Sequence, residues 1–439
     1  MALEGTTVRV QAFRCRDYGF KGWRAHIPSR RGIPTPAVSE GRVFVGGGFG
    51  SHDIYALDAA EGRLLWHLRT SDDGPTATTV VGTRVVFNTE SCTLYTVAGE
   101  SGQIVWQRWL GDPLLAQPAI GDGKVFAVYP HRGEHFLAAF ELETGSESWK
   151  LHVSHDAITA VVYAEGAVFF STFDGRVWCV DPATGSLQWE EKRQATSAPW
   201  VAAGKVYVAQ KNPGASSGAN PQRARAADGE GAWPRERTAR VSRRSGSPEY
   251  RYREKEAMYL RGKRRLPEMD SYQKYDAGVG FSSPPPSAKL RSAEALIGEH
   301  LVSRAQRFQG SRPVVVDGVL YQVTGDELEA TDAEKGHTLW KWRCEHRSVA
   351  ERALTPPAVA NGRVWVGTWE GRIVSFEAAT GEVRWSVDVG APVHWQPAIA
   401  GGSVFAGLED GSLVSFRTGD PSDDGWPMWG GGPGHNGLS

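Results

Sequence analysis

The segment Ala56-Leu57-Asp58-Ala59-Ala60-Glu61-Gly62-Arg63-Leu64-Leu65-Trp66 holds an alternating run, a tight acidic turn ending in glycine, and an aromatic residue four positions past that glycine. The same order returns in Cys179-Val180-Asp181-Pro182-Ala183-Thr184-Gly185-Ser186-Leu187-Gln188-Trp189 and in Ser375-Phe376-Glu377-Ala378-Ala379-Thr380-Gly381-Glu382-Val383-Arg384-Trp385. Pairs with that spacing are Gly19/Trp23, Gly62/Trp66, Gly102/Trp106, Gly145/Trp149, Gly185/Trp189, Gly246/Tyr250, Gly336/Trp340 and Gly381/Trp385. Period-two alternation on both sides of a glycine turn reads as an antiparallel strand pair. The glycine supplies the positive φ that the hairpin needs.

Upstream of each turn lies the other half of the unit. A Pro-Ala-Val-like strand, as in Pro36-Ala37-Val38 and Pro118-Ala119-Ile120, precedes a second strand such as Arg42–Val45 or Lys124–Ala127. The glycine between them recurs at 41, 82, 123, 166, 204, 318, 362 and 402. The gaps are 41, 41, 43, 38, 114, 44 and 40 residues, and the long one is a normal unit of about 40–45 plus roughly 70 extra. A four-stranded unit with two apolar faces needs a neighbour on each side, and closing the ring supplies both. We therefore expect an all-β fold: a single eight-bladed propeller of four-stranded antiparallel blades spanning 1–439. Its last blade should be closed by N- and C-terminal strands, with the outer strand from about 7–27. Whether Thr7–Phe13 or Leu413–Phe416 supplies the third strand of that blade is open at this stage. The aromatic residues Trp23, Trp66, Trp106, Trp149, Trp189, Tyr250, Trp340 and Trp385 are read as structural anchors that dock on the glycine turn of an adjacent blade.

Lys and Arg number 49 against 50 Asp and Glu, a net charge of −1, so no overall field favours nucleic acid or an anionic membrane. No apolar run is long enough to span a bilayer. The start, Met1-Ala2-Leu3-Glu4-Gly5, carries neither a basic n-region nor an apolar h-region. As written the chain is expected in the cytoplasm, and in the periplasm only if the start is misassigned. Cys15, Cys92, Cys179 and Cys344 lie far apart with no metal-ligand spacing, and are expected as reduced thiols. No nucleophile elbow, phosphate loop, zincin or kinase signature is present.

The three quoted units resemble the tryptophan-docking motif of PQQ-like (quinoprotein alcohol dehydrogenase-like) propeller repeat proteins. The tail Trp426-Pro427-Met428-Trp429-Gly430-Gly431-Gly432-Pro433-Gly434-His435-Asn436-Gly437 is similar to a short segment of that family. The resemblance implies the propeller fold and, for the enzymes of the family, PQQ with calcium. Those enzymes carry a vicinal disulfide, a calcium site of Glu, Asn and Asp, and a catalytic Asp. This chain has no adjacent cysteine pair, so no catalytic residue is carried across. The family also contains non-enzymatic scaffolds, including outer-membrane assembly proteins.

In such a ring the loops between second and third strands share one face with the blade-to-blade loops, and loops on a rigid scaffold commonly carry function. His52, Glu90, His131, His135, His155, Asp174, Arg312, Glu370, His394 and Asp410 are the candidate ligand or partner residues of that face. No metal site is predicted: His131 and His135 stand in a glycine-rich turn rather than on a helix. Thr35, Thr76, Gln117, Thr159, Ser197, Arg312, Thr355 and Gln396 start the inner strands and form a polar ring expected to hold ordered water, or a small polar ligand.

Blade five carries two insertions, 213–234 and 255–307, expected on the loop face as a lid. Segment 235–265 holds twelve Lys/Arg and four Glu with three interleaved tyrosines. It is read as a strap over acidic loops of its own ring, with phosphate binding and base stacking as the alternative. A short helix is expected over 288–301. The function these readings favour is a non-catalytic protein-interaction scaffold or ligand-sensing module. The alternatives are a PQQ-dependent dehydrogenase and nucleic-acid binding through 235–265.

Overall fold

Two local rules recur in most of the described sheets. The acidic residue that opens the third-to-fourth-strand turn folds its carboxylate back onto the turn: Asp58 Oδ1 accepts from the Ala60 and Glu61 amides, and Asp181 Oδ1 from Ala183 and Thr184. The glycine amide then closes the turn on the same residue's carbonyl, as Gly62 does on Asp58 O at 2.8 Å, with Gly62 at φ +73°. Two residues into the fourth strand a bulge follows, between the partners of Ala56 and Leu57 in the first blade. The same shift recurs at Ile104/Trp106, Ala139/Phe140, Cys179/Val180, Ala330/Thr331 and Ser375/Phe376. A bulge bends the strand and re-aims one side chain, and here that side chain is the tryptophan.

The computed structural model describes residues 8–28, 32–48, 51–72, 74–89, 91–112, 116–154, 160–172, 174–211, 236–242, 312–344 and 353–437. They form an all-β propeller. The first blade is Ala37–Ser39, Arg42–Gly46, Asp53–Asp58 and Leu64–Arg69, from axis to rim. Four-stranded sheets of the same order follow with inner strands Thr79–Val81, Ala119–Gly121, Val162–Ala164, Val314–Val316 and Ala358–Ala360. Between the fourth and sixth of these positions stands a sheet of three described strands, Trp200–Ala202, Lys205–Lys211 and Glu236–Ser242. The closing sheet has five: Ala398–Ala400, Ser403–Gly407, Ser412–Arg417, Lys21–His26 and Arg9–Arg14.

Two expectations change here. Eight sheets of four strands each are not what is described: seven sheets have four strands or more, and the fifth has three. The closing blade does not choose between the N-terminal run and Leu413–Phe416. Ser412–Arg417 is its third strand, Lys21–His26 its fourth, and Arg9–Arg14 is added outside as a fifth. The first strand pairs antiparallel with the second because residues 15–20 turn the chain back, with the Cys15 amide on Phe20 O at 2.9 Å. The Gly246/Tyr250 unit of blade five, both insertions, the helix expected at 288–301 and most of segment 235–265 lie outside the described residues.

Apolar side chains fill the space between blades rather than a central core. One cluster joins the closing blade to the first through Trp23, Phe405 and Tyr55, and another joins the first to the second through Phe44, Trp66 and Phe87. Others run through blades two to four, four to five, and five to the closing blade. The docking geometry repeats in this layer. Trp66 Nε1 donates to Gly99 O at 2.8 Å, and a Cβ on Gly102 would fall 2.6 Å from Trp66 Cε3. Trp23 meets Gly62, Trp106 meets Gly145, Trp149 meets Gly185, and Trp340 meets Gly381, each indole N–H on a carbonyl of that turn. Trp385, with no such turn in the closing blade, packs edge-on against Phe20 and Phe416. Trp189 is buried against Phe169; the turn at Gly246 and Tyr250 lies outside the described residues.

Candidate functional site

Each fourth strand ends beside the second-to-third-strand hairpin of its own blade. The amides of Thr70, Leu110, Arg193, Cys344 and Val389 bond the carbonyls of His52, Cys92, Gly175, Asp326 and Gly371. The loop that follows then reaches the hairpin of the next blade. Asp112 accepts from the Arg132 amide at 2.7 Å, Asp72 accepts from Ser91 Oγ at 2.6 Å, and the Glu409 amide bonds Pro392 O. Both loop sets therefore lie on one face.

The candidate residues are spread over that face. His52 is half-buried, and its carbonyl takes both the amide and the hydroxyl of Thr70. Asp174 holds Thr172 Oγ1 at 2.7 Å and Arg176 Nε at 2.7 Å, and Asp410 Oδ1 caps the Ser412 amide. His131 meets the ring of Trp109 edge-on at 5.7 Å. His135 and Glu134 stand across the hairpin from Pro130 and His131. His394 is the most enclosed: its ring lies 4.5 Å from Trp369 and 5.6 Å from Trp395, and Nε2 is 3.7 Å from a Glu409 carboxylate oxygen. Glu370 belongs to the same strand-connecting turn as Trp369. Glu90 and His155 lie outside the described residues. Sequence reasoning passed over Trp109, which is 59% exposed. Its signal was an aromatic residue three positions past the docking Trp106, with no glycine turn left to receive it.

Arg312, expected both among these residues and in the ring of inner-strand starts, takes the inner-ring place. It is buried at the axis beneath the C-terminal segment. That segment arrives from the opposite face, where Asp420 and the fully buried Asp423 hold Asn361 and Arg363 of a blade-seven turn. It then crosses the inner edges of the ring. Ile399 exchanges backbone bonds with Trp426, Val38 donates to Pro427 O, Ile120 to Pro433 O and Tyr163 to Gly434 O. Asn436 takes both the amide and the carbonyl of Val201 at 2.6 Å. Arg312 Nη2 donates to Pro199 O at 2.9 Å and to His435 O, and its guanidinium lies 4.9 Å from the rings of Trp200 and Trp429. Burial lowers its pKa.

His435 is 1% exposed. Its Nδ1 faces Val161 O at 3.0 Å, an acceptor only, so Nδ1 carries the proton; Nε2 lies 3.0 Å from Thr79 Oγ1, whose single proton is also directed at Pro118 O at 2.9 Å. Burial, together with the Arg312 charge, pushes its pKa down to about 3, so the ring is neutral. Part of the expected polar ring is used internally. Thr76, Ser197 and Thr355 hydroxyls accept the Asn88, Ala209 and Gly367 amides of their own blades, and Gln396 takes the Gly430 amide. Thr35 Oγ1 and Gln117 Oε1 are buried in the same ring with no hydrogen-bond partner among the described residues, and Thr159 lies outside them.

The four buried cysteines stand apart, so no pair of them forms the vicinal disulfide that the resemblance attaches to the quinone. Among the described residues no three His, Cys, Asp or Glu side chains gather around one ion. No helix among the described residues is long and apolar enough to cross a membrane.

Comparison with known proteins agrees with this architecture. The family profile described as outer membrane protein assembly factor BamB matches residues 9–235, 133–264 and 325–422. An assembly factor BamB of Shewanella oneidensis is 26% identical over 175 residues, 36% of this chain and 43% of that protein. The dehydrogenase subunit of a quinone alcohol dehydrogenase from Gluconacetobacter polyoxogenes is 32% identical over 93 residues, 20% of this chain and 13% of the subunit. The chain thus matches less than half the length of each of these relatives. The crystal structure of BamB from Moraxella catarrhalis superposes with a TM-score of 0.58 at 13% identity, over 93% of this chain and 98% of that one, a likeness of fold alone. With its repeats matched over most of the chain, this protein belongs to the BamB family of PQQ-like β-propellers.

Proposed function

We propose that the protein is a non-catalytic scaffold that binds a protein partner through its loop-bearing face, on a ring of eight blades. The observation that carries the reading is the match to an assembly-factor family over most of the chain. The relatives named for outer-membrane assembly make a protein surface the partner class of choice. The blade count rests on the three-stranded sheet standing where the ring needs another blade. On the loop face, Trp109 beside His131 has the character of a contact anchor: a large aromatic left 59% exposed at a rim where the rest is polar.

The test is site-specific photo-crosslinking in cells with the probe at Trp109 or His131, against a probe at Asp122 in a turn of the opposite face. A discrete adduct from the loop face alone supports the scaffold. Adducts only from Asp122, or none, overturn it. Adding quinone with calcium to the purified chain should give neither a thermal shift nor dye reduction; turnover would restore the dehydrogenase reading.

A further inference from the structure

The C-terminal segment behaves like a bound peptide. Residues Trp426–Gly437 carry no formal charge apart from the neutral His435. They fold on themselves through their own turns: Gly431 N to Met428 O, His435 N to Gly432 O, and Gly437 N to Gly430 O at 2.7 Å. Gly430, Gly431 and Gly437 sit at φ +74°, +92° and +84°, conformations open to glycine and costly for other residues. Its three large apolar side chains enter three separate inter-blade layers. Trp426 stacks on Trp200 at 5.7 Å, Met428 joins the layer between blades one and two, and Trp429 joins that between four and five.

The receiving surface is equally specific. It offers free edges of the inner strands, which are otherwise unpaired donors and acceptors. It also offers one buried cation, Arg312, whose Nε has no hydrogen-bond partner among the described residues and which meets indole faces and carbonyls instead of a carboxylate. Gly434 is pressed on the ring so closely that a Cβ there would fall 2.2 Å from Tyr163 O. The contacts combine strand-edge pairing, aromatic pockets and a preorganised ligand, which are the ingredients of peptide recognition.

We propose that the inner-strand edges around Arg312 form a peptide-binding site for an uncharged, glycine-rich, tryptophan-bearing segment, and that Trp426–Gly437 is its resident, exchangeable ligand. The site is separate from the loop face and independent of the scaffold reading. To test it, a protease recognition sequence is inserted between Asp424 and Gly425, ahead of the segment. The full chain is purified, cut, and incubated with a fluorescent synthetic peptide of residues 426–437. The cut segment is expected to stay on the ring and to exchange with the labelled peptide in a saturable way. A peptide carrying Gly434→Ala should compete at least about tenfold more weakly, as should the native peptide on an Arg312→Met ring that keeps its circular dichroism. Three results overturn the proposal: the ring unfolds on cutting; the segment leaves and the peptide does not rebind; or the Gly434→Ala peptide competes as well as the native one.

Discussion

Trp66→Ala is the substitution that most directly examines how the blades are spaced. The indole is 9% exposed, donates to Gly99 O at 2.8 Å and covers the turn at Gly102. A buried tryptophan hides about 150–250 Å², worth about 4–6 kcal/mol at about 25 cal per Å²; truncations of this kind cost about 3–5 kcal/mol. We expect about 4 kcal/mol, read as a fall in the denaturant midpoint followed by far-ultraviolet circular dichroism. Trp109→Ala, on the outer strand of the next blade but 59% exposed, is the control and should cost about 1 kcal/mol or less. Gly102→Ala attacks the same contact from the other side. It places a side chain at φ +72°, and its Cβ would fall 2.6 Å from the Trp66 ring. The left-handed conformation alone costs about 1–2 kcal/mol, and the clash adds to it. In the Trp66→Ala background the clash is gone, so the double variant should lose at least about 1 kcal/mol less than the two singles together. If Trp66→Ala costs no more than Trp109→Ala, or if the two changes simply add, docking of the indole does not set the spacing.

Three other outcomes are expected. His435, held at about 3 by burial and by Arg312, sits below its ordinary value of about 6.5. The unfolded chain therefore binds the proton first, and stability is full above about pH 6.5 and falls as pH drops toward 3; His435→Gln should flatten that slope in urea melts at stepped pH. Arg363→Ala strands the fully buried Asp423, which it pairs with alongside Asp420, and should cost about 3–5 kcal/mol in thermal or chemical melts; Arg363→Lys should recover part of it. Removing residues 1–14 takes away the largely exposed outermost strand Arg9–Arg14, whose Phe13 packs on Phe416, and should lower the melting temperature less than the loss of a docking tryptophan. Trp23→Ala, which undocks the blade-closing strand from Gly62, should lower it by several degrees.

The ring was legible because its unit is local. An acidic turn, a glycine and an aromatic residue four positions on lie within eleven residues of one another, and the bulge and docking follow from them without reference to the rest of the chain. Ring closure was legible for the same reason, since Gly19/Trp23 writes the outer-strand signature at the wrong end of the sequence. The axis was not. Its strand start put Arg312 on the wall, but the sequence did not show what covers it: His435 lies over a hundred positions away and carries no strand pattern. The polar ring divides in a way the sequence does not show: a Thr hydroxyl that bonds an amide twelve residues on, as Thr355 does with Gly367, looks the same as Thr35, whose hydroxyl has no partner among the described residues. The loop face was located by topology, but His52, His131, Asp174 and Asp410 were not gathered into one centre, because each is spent on its own hairpin or stands on a separate blade.

The pairing of Lys21–His26 with Ser412–Arg417 also dictates a schedule during synthesis. The first of these strands leaves the ribosome early and must wait, unpaired on that side, until nearly four hundred further residues have been translated. Earlier blades can stack as they emerge, but the seam joining the last to the first is made only at the end. Any co-translational helper would therefore be needed longest by the waiting strand at residues 21–26. A circular permutant that fuses it directly after Arg417 would remove that wait.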